Sequence, residues 1–166
     1  MAVLVAFPIL GGLLMLQTAI VSRAPLLQGT PDLVMLAILA WTSRPRVRTF
    51  WQWTALGGLM VSYVSALPFG VPLISYVLTA ALTVVMRRRV WKTSVLVMLA
   101  ATFVGTLISH VLSFVALAIS GTLLPVLDVL NRITLPSLLL NLILAIPIYA
   151  LLGDLANWFY PEKLEV

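Results

Sequence analysis

The chain has 166 residues, of which 62% are apolar and 9% are charged, and its mean hydropathy is +1.14. Soluble domains contain about 45–50% apolar and roughly 25% charged residues, so this composition excludes a water-solvated globular domain. The sequence contains no cysteine, which excludes a disulfide bond, a thiolate metal site and a cysteine nucleophile. The net charge of +5 rests on few ionisable groups, and we expect no nucleic-acid partner.

Long stretches without a charged residue predict an all-α integral membrane protein with one transmembrane domain over residues 1–166. A crossing helix needs about 20 apolar residues, so this length has room for six or seven spans. The uncharged stretch 49–86 must hold two of them, because the turn formers at 67–72 end a helix. The predicted spans of this six-helix bundle are residues 3–22, 31–43, 50–67, 71–86, 94–119 and 136–158.

The positions of the basic residues predict the topology. If the spans alternate, eight positive charges fall on one side of the membrane: Arg44, Arg46, Arg48, Arg87, Arg88, Arg89, Lys92 and Lys163. Only Arg23 and Arg132 fall on the other side. The positive-inside rule then predicts a bacterial inner-membrane protein with both termini in the cytoplasm. Asp154, near the inner end of span six, is predicted to pair with an arginine of the 44–48 loop.

The tryptophans indicate the same topology. Each of the five lies within five residues of one of those eight charges, as expected for an aromatic belt at the membrane interface. The predicted belt residues are Trp41, Trp51, Trp53, Trp91 and Trp158.

Span two is unusually short. Thr30 can cap it, Pro31 suits a first helical turn, and Asp32 favours the positive end of the helix dipole. A helix from Thr30 to Ser43 rises only about 20 Å, so it either thins the bilayer or is shielded by neighbouring helices.

The segment at about 122–135 is apolar but carries a polar stripe. A helix starting at Pro125 would place Asp128, Asn131 and Arg132 on one face. We expect an amphipathic helix that lies flat at the outer surface with this face in water. A re-entrant segment is the alternative.

Polar residues inside the membrane are costly and therefore the first candidates for function. Gln17, His110 and Asn141 all fall in the outer half of the bilayer when about 1.5 Å is counted per residue. They are predicted to form a polar cluster, joined by Asp32 at the mouth of span two. The cluster holds the helices together, contacts a ligand or partner, or relays protons. A lone histidine is a poor metal site, so no metal is expected.

Span five carries small residues at every fourth position: Ala101, Gly105, Ser109 and Ser113. Helices in membranes pack closely through such stripes, since lipid offers no competing hydrophobic drive. The stripe predicts either packing within the bundle or docking of a partner's helix.

Sequence motifs for catalysis are missing. There is no G-x-x-x-x-G-K-[ST] loop, no H-E-x-x-H zinc motif and no G-x-S-x-G elbow in the sequence. We therefore expect a chain that is not an enzyme and that uses no cofactor.

Four groups of residues, in order along the chain, resemble the rod shape-determining protein MreD family. They are LQT at 16–18 with GTPDL at 29–33, GGL at 57–59 with SALPFG at 65–70, GT at 105–106 with His110, and LPSLLLN at 135–141 with AIPIY at 145–149. The motif residues singled out are Gly29, Pro31, Gly57, Gly58, Pro68, Gly70, Pro136 and Pro147. Where the family commonly has an acid, this chain has Ser62.

The resemblance implies a non-enzymatic subunit of the bacterial elongation (Rod) complex, which regulates lateral peptidoglycan synthesis and cell shape. Such proteins bind MreC, a single-span protein with a periplasmic domain. Through MreC they connect to the RodA glycosyltransferase, a penicillin-binding transpeptidase and MreB. The family's six-helix fold is similar to the substrate-binding subunits of energy-coupling-factor vitamin transporters.

Two functions follow as hypotheses. The first is a scaffold that docks the transmembrane helix of MreC. The second is a small-molecule-binding transporter subunit, with Gln17, His110 and Asn141 lining an outward pocket. For the second, the pair Ala2 and Ala6 resembles the alanine motif by which such subunits dock their coupling protein.

Overall fold

The computed structural model describes residues 2–23, 29–89, 93–122 and 124–160, and all regular secondary structure in these ranges is helical. The elements are α1 (Ala2–Arg23), α2 (Leu33–Thr42), α3 (Phe50–Val64), α4 (Val71–Arg89), α5 (Ser94–Ile119), α6 (Val126–Val129), a π-helical turn (Leu130–Thr134) and α7 (Leu135–Phe159). The predicted all-α class is confirmed.

Within the described ranges, three helical segments are long and apolar enough to cross a membrane: Val71–Arg88, Ser94–Ile119 and Val126–Phe159. Two further apolar helices, Leu4–Ala19 and Leu33–Thr42, are shorter. By length and composition, the described part of the chain therefore has three candidate membrane-spanning helices, and the six-span topology stays a prediction.

Helix α2 forms the centre of the bundle. All ten of its residues are buried, and it packs against α1, α3, α4, α5 and α7. Its sequence is apolar around its whole circumference, which is typical of a helix surrounded by protein. Neighbouring helices therefore shield this short helix, which is the second of the two predicted arrangements.

The turn between α3 and α4 separates two antiparallel helices that pack along their length. Helix α3 ends at Val64, three residues before the predicted end, because the backbone of Ser65 is extended. The Ser65 hydroxyl accepts a hydrogen bond from the N–H of Leu67 at 3.1 Å. Gly70 then has a positive φ of 92°, which glycine adopts without steric cost, and α4 begins at the next residue.

Arginines gather at one end of the bundle, which we call the arginine end. Arg87 Nη1 donates to the carbonyls of Thr42 at 2.6 Å and Arg44 at 2.8 Å. Arg44 Nη2 in turn donates to the carbonyl of Tyr149 at 2.8 Å. The predicted pairing with Asp154 is wrong, because the arginine that reaches α7 binds a backbone carbonyl and Asp154 is exposed. Lys92 and Lys163 lie outside the described residues.

The prediction of five belt tryptophans is wrong for two of them. Trp41 and Trp53 are completely buried and stack with their ring centroids 4.2 Å apart. They lie on the parts of α2 and α3 that face each other, so they pack the core instead of the membrane interface. Trp51 and Trp158 are 45% and 74% exposed, as belt residues must be. Trp91 lies outside the described residues.

The 122–135 segment differs from the expected separate amphipathic helix. Helix α6 runs through the π-helical turn into α7, and the joining residues Val129, Leu130, Thr134 and Leu135 all keep right-handed helical backbone. No glycine or proline interrupts residues 126–135, so nothing ends the helix there. The predicted polar face is present, since Asp128 and Arg132 are exposed and Arg132 Nε lies 3.6 Å from Asp128 Oδ1.

Candidate functional site

The buried start of α2 is where the polar residues of the bundle meet. The first N–H groups of a helix have no partner within it, and burial makes an unpaired group costly. Gln17 Oε1, from α1, accepts the N–H of Leu33 at 2.9 Å and that of Val34 at 3.5 Å. The predicted cap Thr30 is wrong: Asp32 caps the helix, because its Oδ1 accepts the N–H of Met35 at 2.9 Å, and Pro31 precedes the first turn.

Helix α7 binds the segment just before α2. Ser137 Oγ accepts the N–H of Thr30 at 2.9 Å, and Asn141 Oδ1 accepts the N–H of Asp32 at 2.8 Å. The Asn141 amide also donates to Thr106 Oγ1 of α5 at 3.0 Å. Residues from α1 and α7 therefore satisfy the backbone at this junction, and α5 supports Asn141 through Thr106.

Tyr76 adds the fourth helix, α4, to the network. Its hydroxyl lies 2.6 Å from Asp32 Oδ1 and 2.8 Å from Oδ2, so it donates to this carboxylate. Tyr76 is only 1% exposed. The hydroxyl reaches both carboxyl oxygens, so this contact ties α4 directly to the start of α2.

His110 lies apart from this network. Its Nδ1 is 3.1 Å from Thr134 Oγ1, so it links α5 to the π-helical turn. The structure thus joins three of the four residues of the predicted cluster, Gln17, Asp32 and Asn141, and places His110 across a cavity from them.

That cavity has a volume of about 320 Å³. Its polar lining comprises Gln17, Thr30, Asp32, Ser65, Tyr76, Ser109, His110 and Ser113. Asn141 is not among the lining residues and is buried behind them. At about 30 Å³ per water, this volume holds roughly ten water molecules or a small ligand.

The small-residue stripe of α5 faces inward over its whole length. Ala101 is buried, and the place of a Cβ at Gly105 is occupied by the methyl group of Thr79 on α4. Ser109 and Ser113 line the cavity. The stripe therefore packs against α4 at Gly105 and borders the cavity at Ser109 and Ser113, which favours packing within the bundle.

Among the described residues, no group of three or more His, Cys, Asp or Glu is close enough together to hold a metal ion. The carboxylate of Asp32 is instead held by hydrogen-bond donors from its own helix and from α4. The arrangement fixes α2 and leaves a polar cavity beside it.

Comparison with known proteins gives no match. Neither a protein-family model, nor a curated protein, nor a solved structure matches this chain. The resemblance to the MreD family therefore stays a prediction from the sequence motifs.

Several motif residues lie at close helix contacts. A Cβ at Gly29 would lie 2.5 Å from Pro136 Cβ and 2.6 Å from the backbone nitrogen of Ser137. A Cβ at Gly57 would lie 2.9 Å from the Ile38 side chain. These motif glycines allow the chain segments to approach more closely than any other residue would permit.

The remaining motif residues have local roles. A Cβ at Gly58 would lie 2.7 Å from the Leu73 side chain of α4, so this glycine also permits a close approach. Pro68 and Gly70 form the turn before α4, whose first N–H groups bond back to their carbonyls. The helix α7 continues through Pro147. At Ser62, where the family commonly has an acid, the hydroxyl is buried and has no hydrogen-bond partner.

Sequence reasoning missed three residues of this site: Tyr76, Thr106 and Ser137. Thr106 and Ser137 stand inside the quoted motifs, but hydroxyl residues are common in membrane helices and gave no separate signal. Tyr76 did carry a signal, because a tyrosine within an apolar span needs a partner for its hydroxyl when it is buried.

Replacing Tyr76 by phenylalanine is expected to lower the free energy of unfolding by about 1–2 kcal/mol, because Asp32 loses its side-chain donor while it stays buried. Titration with sodium dodecyl sulfate in mixed micelles measures this change. The matched control is Tyr63→Phe, since Tyr63 is 79% exposed and should change stability little. Equal stability of the two variants would contradict a stabilising role for the Tyr76 hydroxyl.

Proposed function

We propose that this chain is a non-enzymatic scaffold subunit of MreD type in the bacterial inner membrane. It binds MreC and through it connects to RodA, the penicillin-binding transpeptidase and MreB. In this function the chain regulates lateral peptidoglycan synthesis and cell shape by binding MreC, and it catalyses no reaction.

The observation that carries the proposal is the contact between the two most distinctive motifs. GTPDL at 29–33 and LPSLLLN at 135–141 are about a hundred residues apart in sequence and bind each other directly. Thr30 bonds to Ser137, Asp32 bonds to Asn141, and Gly29 packs on Pro136. Motifs that form one structural unit are unlike scattered chance matches, and this supports the resemblance.

The arginine end supports the proposed topology. The 44–48 loop and the end of α4 are neighbours, as the alternation of spans requires. In the proposed topology this end faces the cytoplasm, both termini are on the same side, and the polar cavity opens toward the periplasm. Six crossings include α2, which neighbouring helices shield from lipid.

We place the docking face for the single span of MreC in an apolar groove between α1 and α7. The groove has a volume of about 470 Å³, and the described residues that line it are all apolar, among them Pro8, Leu16 and Leu151. Gly12 borders it, with nothing within 4 Å of the place of a Cβ. A glycine that opens onto a groove lets a second helix approach closely.

Photo-crosslinking in cells tests this function. A photoreactive amino acid placed at Leu16 or Leu151, which are 52% and 71% exposed, is expected to capture MreC. The same probe at Leu78 or Phe103, 47% and 44% exposed on α4 and α5, serves as the matched control and should capture lipid alone.

The outcomes distinguish a wrong position of the docking face from a wrong scaffold function. Capture of MreC from the control positions would move the docking surface to α4 and α5. No capture of MreC from any of the four positions would argue against the scaffold function itself.

The polar cavity favours a second candidate, a vitamin-type substrate-binding subunit of a transporter. Asp32, Tyr76 and His110 converge there with apolar residues, as in a small-molecule site. Against it, Ala6 is buried in the core and cannot dock a coupling protein, while the Ala2 side chain lies outside the described ones. A bound vitamin at a hundredfold excess over Kd would stabilise the protein by about 2.7 kcal/mol, whereas the scaffold predicts no change.

A further inference from the structure

An apolar groove adjoins the polar cavity, and we call it the α5–α6 groove. It has a volume of about 170 Å³ and lies between α5 and the segment from α6 to the π-helical turn. Three residues line both the groove and the polar cavity: His110, Phe114 and Val129. The two spaces therefore share a border of side chains, and together they form one site that is polar at one end and apolar at the other.

The α5–α6 groove opens on the outside of the bundle. Val111, Val126 and Leu130, which line it, are 60%, 64% and 42% exposed. Its walls belong to Ser94–Ile119 and Val126–Phe159, two of the described helices that are long and apolar enough to cross a membrane. Lipid tails are as apolar as these side chains, so they contact them without cost. The groove is smaller than the about 300–1,000 Å³ of a small-molecule pocket, and it therefore suits part of an acyl chain.

At the polar end of the site, Asp32 presents a carboxylate to the cavity. The described donors to its oxygens are both neutral, the Met35 N–H at 2.9 Å and the Tyr76 hydroxyl at 2.6 and 2.8 Å. A carboxylate accepts about four hydrogen bonds, so it has room for a further donor. Ionisable residues within membrane bundles often mark binding sites. An ammonium group is complementary to this carboxylate, since it brings a positive charge and three donors.

Polar side chains continue from the cavity to the border with the groove. His110 lies at this border, and its Nδ1 is 3.1 Å from Thr134 Oγ1 in the π-helical turn. A π-helical turn is rare and is frequently found at functional sites. Ser109, the neighbour of His110 in the sequence, also lines the polar cavity. The hydroxyl and the imidazole supply hydrogen-bond donors for a phosphate group.

We propose that the polar cavity and the α5–α6 groove together bind a phospholipid with a primary ammonium headgroup. The ammonium group donates to the Asp32 carboxylate, and the phosphate lies beside Ser109 and His110. The start of an acyl chain then follows the groove to the outside of the bundle. The order of groups along such a lipid, ammonium, phosphate and apolar chain, matches the order of the lining. This site goes beyond the proposed scaffold function and does not depend on MreC.

The test is titration of the delipidated, full-length protein with phosphatidylethanolamine in a neutral detergent, with bound lipid counted by native mass spectrometry. We expect one saturable site, which Asp32→Asn weakens about tenfold, the factor that corresponds to 1.4 kcal/mol. Asparagine keeps an oxygen for the Met35 N–H, so the helix cap is retained. The matched control is Asp128→Asn, because Asp128 is an exposed carboxylate outside the described lining of both spaces. It should leave the affinity unchanged.

A second pair of variants tests the groove without a change at Asp32. Val111→Trp fills the α5–α6 groove and should also weaken binding about tenfold. The matched control is Val115→Trp, since Val115 lies one turn further along α5, is 45% exposed and is not among the described lining residues. Full affinity in Val111→Trp would overturn the path of the acyl chain. Equal losses in both variants would show adhesion of lipid to the whole face of α5 and would also overturn it.

Comparison ligands test the chemistry of the headgroup. Phosphatidylcholine, whose ammonium group has no N–H, and phosphatidylglycerol, which has no ammonium group, should each bind about tenfold more weakly. Free phosphoethanolamine should compete only at high concentration. Binding of phosphatidylcholine or phosphatidylglycerol as tight as that of phosphatidylethanolamine would overturn the ammonium contact, and equally tight binding of phosphoethanolamine would overturn the lipid as the source. Unchanged affinity in Asp32→Asn, as expected if another residue of the chain already neutralises this carboxylate, would overturn the site.

Discussion

Replacing Asn141 by leucine is expected to lower the free energy of unfolding by about 2–4 kcal/mol. Leucine has a similar size, so packing changes little, but both hydrogen bonds of the amide are lost. The N–H of Asp32 and the hydroxyl of Thr106 then stay buried with one partner fewer. Unfolding by sodium dodecyl sulfate in mixed micelles measures the loss.

The control for this substitution is Asn131→Leu, because Asn131 is exposed on the π-helical turn. It should change stability by less than about 0.5 kcal/mol. Asn141→Asp separates the two bonds, since aspartate keeps the acceptor for Asp32 and loses the donor to Thr106. Full stability of Asn141→Leu would show that the contact between α2 and α7 depends on apolar packing alone.

Replacing Gly29 by alanine is expected to destabilise the protein by about 3 kcal/mol, the upper range for overpacking a core. The added Cβ would lie 2.6 Å from the backbone nitrogen of Ser137 and 2.9 Å from the backbone carbonyl carbon of Pro136. Backbone atoms cannot move aside as the end of a flexible side chain can. Separation of the two segments would also weaken the bonds from Thr30 and Asp32 to α7.

The matched control is Gly12→Ala, where the new Cβ meets nothing within 4 Å. Alanine is the better helix former, so this variant should be neutral or up to about 1 kcal/mol more stable. Thermal unfolding of both variants in the same detergent makes the comparison. A Gly29→Ala protein as stable as Gly12→Ala would contradict the close packing of residues 29–33 on α7.

Both substitutions act at the junction between the start of α2 and helix α7. The polar residues of the bundle are concentrated at this junction. The ten-residue helix α2 packs against five other helices, and the groups that bind its start add directed hydrogen bonds to this packing. Gln17, Tyr76 and Asn141 come from three different helices and fix α2 in all directions. The polar residues that looked like candidates for a ligand site therefore also have this structural use.

Local features of the fold were predictable from the sequence. The proline and glycine residues at 67–72 marked the break between α3 and α4, and residues 30–32 marked the start of α2, although Asp32 caps it instead of Thr30. Each of these depends on a few neighbouring residues, such as a cap side chain or a residue that cannot continue a helix. The predicted end of α3 was three residues too late, because the extended conformation of Ser65 has no distinct sequence signal.

The contacts of the site were predictable only in part. Counting residues from the ends of the spans brought Gln17, His110 and Asn141 to one level of the bundle, with Asp32 at the mouth of span two, and this level depends on the helix rise. It could not separate His110 from them, since level along a helix says nothing about direction around it. The partner of Tyr76 was not predictable for the same reason, because only the packing of α4 against α2 turns its hydroxyl toward Asp32.

The sequence by itself determined that the chain is all-helical and apolar enough for a membrane, where its helices break, and how its basic residues are distributed. The tertiary structure decided that Trp41 and Trp53 stack in the core, that the α5 stripe packs on Thr79, and that α6 continues into α7. The physical reason is that composition, caps and breakers act over a few residues. Burial and pairing depend instead on which helix faces meet, and Asp32 and Asn141 are 109 residues apart.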